Sequence, residues 1–121
     1  MGTISNFRDL LVWQKGHSLV LLIYKLTSNF PISEQFGITN QMRRAAVSIT
    51  SNIAEGFSRR SLKEKIQFYY IAHGSLSELE NQIQIAKDLG YLTETEYHEL
   101  YSLFIETGKL LNSLINKTKL R

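Results

Sequence analysis

The sequence predicts an all-α fold, an antiparallel up-down-up-down four-helix bundle that takes residues 1–121 as a single domain. Three observations carry this. One Pro and seven Gly in 121 residues leave few places to turn, so the punctuation divides the chain into four long segments. In each segment apolar residues recur every three or four positions, the helical period, and nothing alternates with the period of two that a strand requires. Ser61-x-x-Glu64 and Thr93-x-x-Glu96 have the spacing in which side chains and free amides satisfy one another at a helix start.

The first segment begins after Asn6, a good N-cap, and runs from about Arg8 to Ser28-Asn29-Phe30-Pro31, where Pro31 cannot continue a helix. The second follows the connection Ile32 to Ile38, with Thr39 as N-cap and the stripe Met42, Ala45, Ala46, Ile49, Ile53 and Phe57. The third opens at Ser61 and carries Leu62, Ile66, Tyr69, His73, Leu76, Leu79, Ile83, Ala86 and Leu89. Gly90 ends it in the position that favours a left-handed cap. The fourth opens at Thr93, with Tyr97, Leu100, Phe104, Gly108, Leu111 and Ile115 inward. Helices of about 18 to 28 residues make a bundle roughly 30 Å or more long.

The first helix holds more apolar residues than one core can bury. Leu10, Trp13, Val20 and Tyr24 mark one stripe, while Leu11, Val12, Leu19, Leu22 and Ile23 spread round the cylinder. A helix apolar nearly all round on so small a domain is either capped by neighbours or lies at a subunit interface, and the interface is the favoured reading over mere surface apolarity.

Composition narrows the function. With no Cys there are no disulfides, thiolate metal sites or cysteine nucleophiles, which fits a reducing cytosol. The longest apolar run, Leu19 to Tyr24, has six residues, far below the roughly 18 to 20 of a membrane helix, so no membrane association is expected. The opening Met1-Gly2-Thr3-Ile4-Ser5-Asn6 lacks a basic region followed by an apolar stretch, so a cytoplasmic protein is expected rather than a secreted one. A di-iron bundle needs Glu three residues before each ligating His, but Gln14, Tyr70 and Thr95 precede His17, His73 and His98. Glu94 and His98 form a single i, i+4 pair on a solvated helix start, and His73 reads as a core or interface residue. No phosphate-binding glycine loop, nucleophile elbow or zincin motif is present. Neither a metal, a cofactor nor catalysis is predicted.

Charge is more informative in three dimensions than in total. The net charge is +3. In an up-down-up-down bundle the start of helix one, the end of helix two, the start of helix three and the end of helix four share one end. That end collects Arg8, Arg59, Arg60, Lys63, Lys65, Lys117, Lys119 and Arg121 against Asp9, Glu55 and Glu64, a local excess of +5. The middle and the far end each come to −1. A focused positive end attracts polyanions, nucleic acid above all. The plainer reading is that Lys117, Lys119 and Arg121 complement the negative end of a helix dipole.

Helix two also carries a polar row, Arg44, Ser48, Asn52 and Glu55, and helix three carries Ser75, Glu78 and Gln82. If the hairpin folds about Arg59 and Arg60, Arg44 lies level with Ser75 to Glu78. A partly buried Arg44–Glu78 pair is expected, setting helix register more than adding stability. The functional alternative is a ligand pocket or catalytic cleft. The small residues Ala45, Ala46 and Ser48 allow two helices to approach closely.

Taken together, Phe7-Arg8-Asp9-Leu10 with Val12-Trp13-Gln14-Lys15, Phe30-Pro31, Phe36-Gly37-Ile38-Thr39, Arg43-Arg44-Ala45-Ala46-Val47-Ser48-Ile49, Asn52-Ile53-Ala54-Glu55-Gly56 and Ala72-His73-Gly74-Ser75-Leu76-Ser77-Glu78-Leu79 resemble the bacterial four-helix-bundle proteins encoded within intervening sequences of large-subunit ribosomal RNA genes. The resemblance covers nearly the whole chain in order. It implies a cytoplasmic homo-oligomer, a pentamer, without catalysis. Similar proteins include the accessory variability determinant of diversity-generating retroelements, a pentameric barrel whose basic surface binds nucleic acid and a reverse transcriptase. Arg59, Arg60 and Lys63 match a stretch that is often basic in such proteins. The chain departs where relatives often place Gly before that stretch, since Ser58 precedes Arg59.

Two functions follow as expectations. The leading one is an oligomeric accessory protein that binds nucleic acid, structured RNA in particular, by backbone charge and shape, with phosphate contacts from Arg59, Arg60, Lys63, Lys65, Lys117, Lys119 and Arg121. The alternative is a scaffold that binds another protein through its helical faces, the charge serving only solubility.

Overall fold

The computed structural model describes residues 4–121; Met1, Gly2 and Thr3, part of the stretch read above for a secretion signal, lie outside the described residues. A 3-10 turn at Phe7–Asp9 leads into α1 (Leu11–Thr27). A second 3-10 turn, Ile32–Glu34, precedes α2 (Ile38–Ser58), which is followed by α3 (Leu62–Asp88) and α4 (Glu94–Lys119). There is no strand among the described residues.

The helix starts show which local signals decide. Asn6 caps the first 3-10 turn rather than α1, its Oδ1 accepting from the Arg8 amide at 2.9 Å. Thr93 and Glu96 form the full reciprocal box, the Glu96 amide donating to Thr93 Oγ1 at 3.1 Å and the Thr93 amide to Glu96 Oε1 at 2.9 Å. Ser61 forms half of one. Its Oγ accepts from the Glu64 amide at 3.1 Å, but the Glu64 carboxylate takes the Ser61 hydroxyl, not the amide. Thr39 is not the N-cap of α2. The cap is Gly37, two residues earlier, and Thr39 is buried within the helix. The Glu34 carboxylate supplies the negative charge a helix N-terminus favours, meeting the Ile38 amide at 3.5 Å.

Each helix packs against its sequence neighbours, and α1 also packs against α4. Ser48 meets Ser75, Arg43 meets Thr27, Tyr101 meets Glu80 and Lys15 meets Glu106. Thr27 meets Arg43 while Gly16 lies at Thr50, and Ser48 meets Ser75 while Gly56 lies at Tyr69, so along each of these pairs one number falls as the other rises and α2 runs opposite to α1 and to α3. The core is a continuous column through Leu19, Ile23, Met42, Ile49, Ile53, Leu79, Ile83, Leu100 and Leu111, all at most 1% exposed. Each such side chain contributes about 1.5–3 kcal/mol by leaving water.

Two stripes differ from expectation. In α1 the inward line is Val12, Gly16, Leu19, Ile23 and Leu26, while Trp13 and Val20 are half-buried and Tyr24 is exposed. Gly16 packs on Thr50, so close that a Cβ there would lie 3.0 Å from Thr50 Cγ2, and this turns the Gly16 line inward. In α3 the stripe passes through Ala72, which is fully buried, rather than His73, which is exposed. Leu89, past the end of α3, is exposed, and Gly90 follows with φ +79°. Ser58 closes α2 and Arg59 leaves it extended (φ −75°, ψ 152°), so this turn needs neither the Gly that the resemblance led one to expect nor a left-handed residue.

Candidate nucleic-acid interface

The end of α2, the start of α3 and the end of α4 meet beside the start of α1. Leu10 to Val12, Phe57, Lys65, Tyr69, Lys117, Thr118 and Arg121 line one groove there. The basic residues at this end fall into two groups according to what they already hold.

Arg59, Lys65 and Lys119 are committed within the fold. The Arg59 guanidinium donates to Glu55 Oε2 at 2.9 Å and lies over the Phe68 ring at 4.6 Å. Lys65 Nζ donates to the Phe57 carbonyl at 2.7 Å and to that of Gly56 at 3.4 Å, closing the C-terminus of α2, whose carbonyls lack helical partners. Burial, and then the charge of Arg121, hold the Lys65 ammonium below the usual lysine range. Lys119 Nζ stands 5.1 Å from the centre of the Tyr70 ring. Arg8 is likewise engaged, over Phe7 and on Asn6 Oδ1.

Arg60, Lys63, Lys117 and Arg121 are exposed, with no ion-pair or hydrogen-bond partner for their side chains among the described residues. Their positive charge faces solvent uncompensated. The sequence placed all seven predicted contacts at one end, but only the structure separates the cations that cap and stack from those left available.

The polar row of α2 and α3 divides in the same way. Ser48 Oγ and Ser75 Oγ are 2.8 Å apart, and Asn52 Nδ2 donates to Ser48 Oγ at 3.1 Å and to the Ser48 carbonyl at 2.8 Å. Glu55 belongs to Arg59 instead. The expected Arg44–Glu78 pair does not form. Both residues are exposed, and Glu78 accepts from Gln82 Nε2 at 3.4 Å. With Ser48 facing Ser75, one turn back along α2 lies level with Leu79, so Arg44 sits on the outer flank beside Tyr24 and Asn40. The cluster is three small neutral groups joined helix to helix.

Two devices escaped the sequence reading. Arg43 Nε donates to Thr27 Oγ1 at 2.9 Å while its guanidinium lies over Tyr24 at 4.6 Å, tying α2 to the end of α1. The Tyr91 hydroxyl donates to Glu34 Oε2 at 2.8 Å across 57 residues of sequence, which no local pattern announces. Glu94 and His98 stand 3.3 Å apart in full solvent, and no group of three or more His, Asp or Glu gathers among the described residues. No described helix is long and apolar enough to cross a membrane.

Comparison with known proteins agrees with this architecture. A crystal structure of a protein of unknown function from the S23 ribosomal protein family of Bacteroides thetaiotaomicron superposes with a TM-score of 0.78 at 27% identity, covering 87% of this chain and 98% of that one. No curated protein matches the chain. The family model described as 23S rRNA-intervening sequence protein matches residues 8–113, a span from the first basic residue to the last turns of α4, and the chain therefore belongs to the 23S rRNA-intervening sequence protein family.

Proposed function

We propose that this protein is a non-enzymatic, cytoplasmic homo-oligomer, a pentamer, that binds nucleic acid, structured RNA above all, by its phosphate backbone. One observation carries the reading: Arg60, Lys63, Lys117 and Arg121 are exposed at one end of the bundle with no partner among the described residues. Cations already neutralised by carboxylates release few counterions on meeting a polyanion, whereas free ones release the most. Oligomerisation would bring several such ends together and multiply the local potential. Support for assembly comes from α1, where Leu11, Leu21 and Tyr24 are 53%, 58% and 44% exposed. Backbone charge does not distinguish sequences, so recognition rests on shape.

The test is fluorescence anisotropy of labelled structured RNA and duplex DNA over a salt series, with the Arg60→Glu/Lys63→Glu protein beside the parent. Binding should weaken steeply with salt, and the variant should bind at least about tenfold more weakly with a slope shallower by roughly 1.5 to 2, the value for two lost phosphate contacts. No binding near physiological salt overturns the proposal. It would favour the second reading, a scaffold that takes a protein partner on the exposed apolar residues of α1, to be pursued by pull-down.

A further inference from the structure

The groove beside the basic end has features that phosphate binding does not use. Leu10, just before α1, Leu11 and Val12 of α1, and Leu110 and Leu114 of α4 give it aliphatic walls around about 570 Å³, within the roughly 300–1,000 Å³ of small-molecule sites. Its cationic side chains are Lys65, Lys117 and Arg121, and no Asp or Glu side chain lines it. Lys65 uses two donors on backbone carbonyls, which leaves one N–H of its three.

The second observation is Tyr69. This side chain is only 2% exposed, its ring is packed against Gly56, and its hydroxyl has no hydrogen-bond partner among the described residues although the residue borders the groove. The hydroxyl is thus a donor not used within the fold, on a side chain whose ring is otherwise enclosed, at the edge of the groove. A site with apolar walls, an anion-seeking rim and a waiting donor fits a molecule with an apolar body and an anionic head.

We infer that the groove binds an anionic amphiphile, a long-chain monocarboxylate, with its chain along the leucines of α1 and α4 and its carboxylate held by Lys117, Arg121 and the Tyr69 hydroxyl. Each methylene withdrawn from water strengthens such a complex, and a carboxylate at the rim forms charge-assisted hydrogen bonds. It also relieves the mutual repulsion of Lys65 and Arg121, which helps to hold the Lys65 ammonium below its usual range. Macromolecular occupants are disfavoured because the cations converge on a concave, leucine-walled volume rather than spreading over a face. The inference goes beyond the nucleic-acid reading, since Arg60 and Lys63 do not line the groove.

Isothermal titration with dodecanoate below its micellar concentration tests it, with butyrate as an anion lacking the chain and dodecyltrimethylammonium as the chain with opposite charge. Dodecanoate should bind saturably, and both comparison compounds at least about tenfold more weakly. Lys117→Glu/Arg121→Glu, both on exposed positions, should cost about tenfold or more. Tyr69→Phe should cost roughly three- to tenfold, the loss of one hydrogen bond to a charged group. Arg60→Glu/Lys63→Glu should leave dodecanoate binding unchanged whatever it does to RNA. Absence of saturable binding, equal binding of the cationic amphiphile, or indifference to Lys117→Glu/Arg121→Glu overturns the inference.

Discussion

Gly56 of α2 lies directly against the ring of Tyr69 in α3. A Cβ at position 56 would stand 2.5 Å from Tyr69 Cε1 and 3.1 Å from the Lys65 carbonyl oxygen. The absent side chain is what allows α3 to begin so close to where α2 ends. It also lets Lys65 reach back to the carbonyls of Gly56 and Phe57.

Gly56→Ala is therefore expected to destabilise. Overpacking costs about 1–3 kcal/mol and helix propensity returns at most about 1 kcal/mol. Gly74, in the same hairpin, has nothing within 4 Å of the corresponding point, so Gly74→Ala should stabilise by roughly 0.5–1 kcal/mol. Urea unfolding of both proteins measures this. A Gly56→Ala protein as stable as the parent would mean that the two helices can separate at no cost.

The Ser48–Ser75 hydrogen bond joins the middles of α2 and α3 side chain to side chain, and Ser75 is 9% exposed. Ser75→Ala should cost about 0.5–1.5 kcal/mol. Ser48 loses two partners, so Ser48→Ala should cost more. A double-mutant cycle should return a coupling of roughly 0.5–1 kcal/mol. Additive losses would show that the two hydroxyls act independently.

Arg44 and Glu78 make no pair, and both are exposed. Arg44→Ala and Glu78→Ala should each change stability by no more than about 0.5 kcal/mol, as ordinary surface substitutions do. Thermal melts with sizing chromatography would check both stability and assembly. A large loss from either would restore a register role for these charges.

Tyr91 ties the turn after α3 to the connection before α2 through Glu34. That hydrogen bond, then burial and the Glu34 charge, raise the Tyr91 phenol above its ordinary value. A folded value above the unfolded one contributes stability below pH ~10 that is lost as pH climbs through the raised value. Tyr91→Phe should thus make the alkaline fall in stability shallower and remove one late-ionising phenol from a spectrophotometric titration. If the phenol lost were instead one that ionises at the ordinary tyrosine value, the Tyr91 hydroxyl would lie in solvent, free of Glu34.

Local sequence determined the four helices, because period, caps and breakers act within a few residues of one another. Pro31 stops one segment, Thr93 and Glu96 start another, and Gly90 takes the only positive φ among the described residues. The same local rules placed the cations at one end, since helix order and direction settle which termini meet. They misplaced Thr39 because the charge that starts α2 comes from Glu34 across a turn. They misplaced the α1 stripe because a helix can rotate by one position to seat a small residue, Gly16, against its neighbour, and they put His73 on the inward line of α3 where Ala72 is the residue buried.

Only the tertiary structure decided what each polar group does. Arg59 and Arg60 are adjacent and chemically identical, yet one is held by Glu55 and Phe68 while the other is free. Tyr69 reads as one more core aromatic in a periodic stripe, but its hydroxyl borders a groove assembled from all four helices. Hydrophobic burial is non-directional and follows periodicity, so it can be read along a chain. Hydrogen bonds and ion pairs depend on distances of a few tenths of an ångström between residues far apart in sequence, and those distances exist only once the helices have packed.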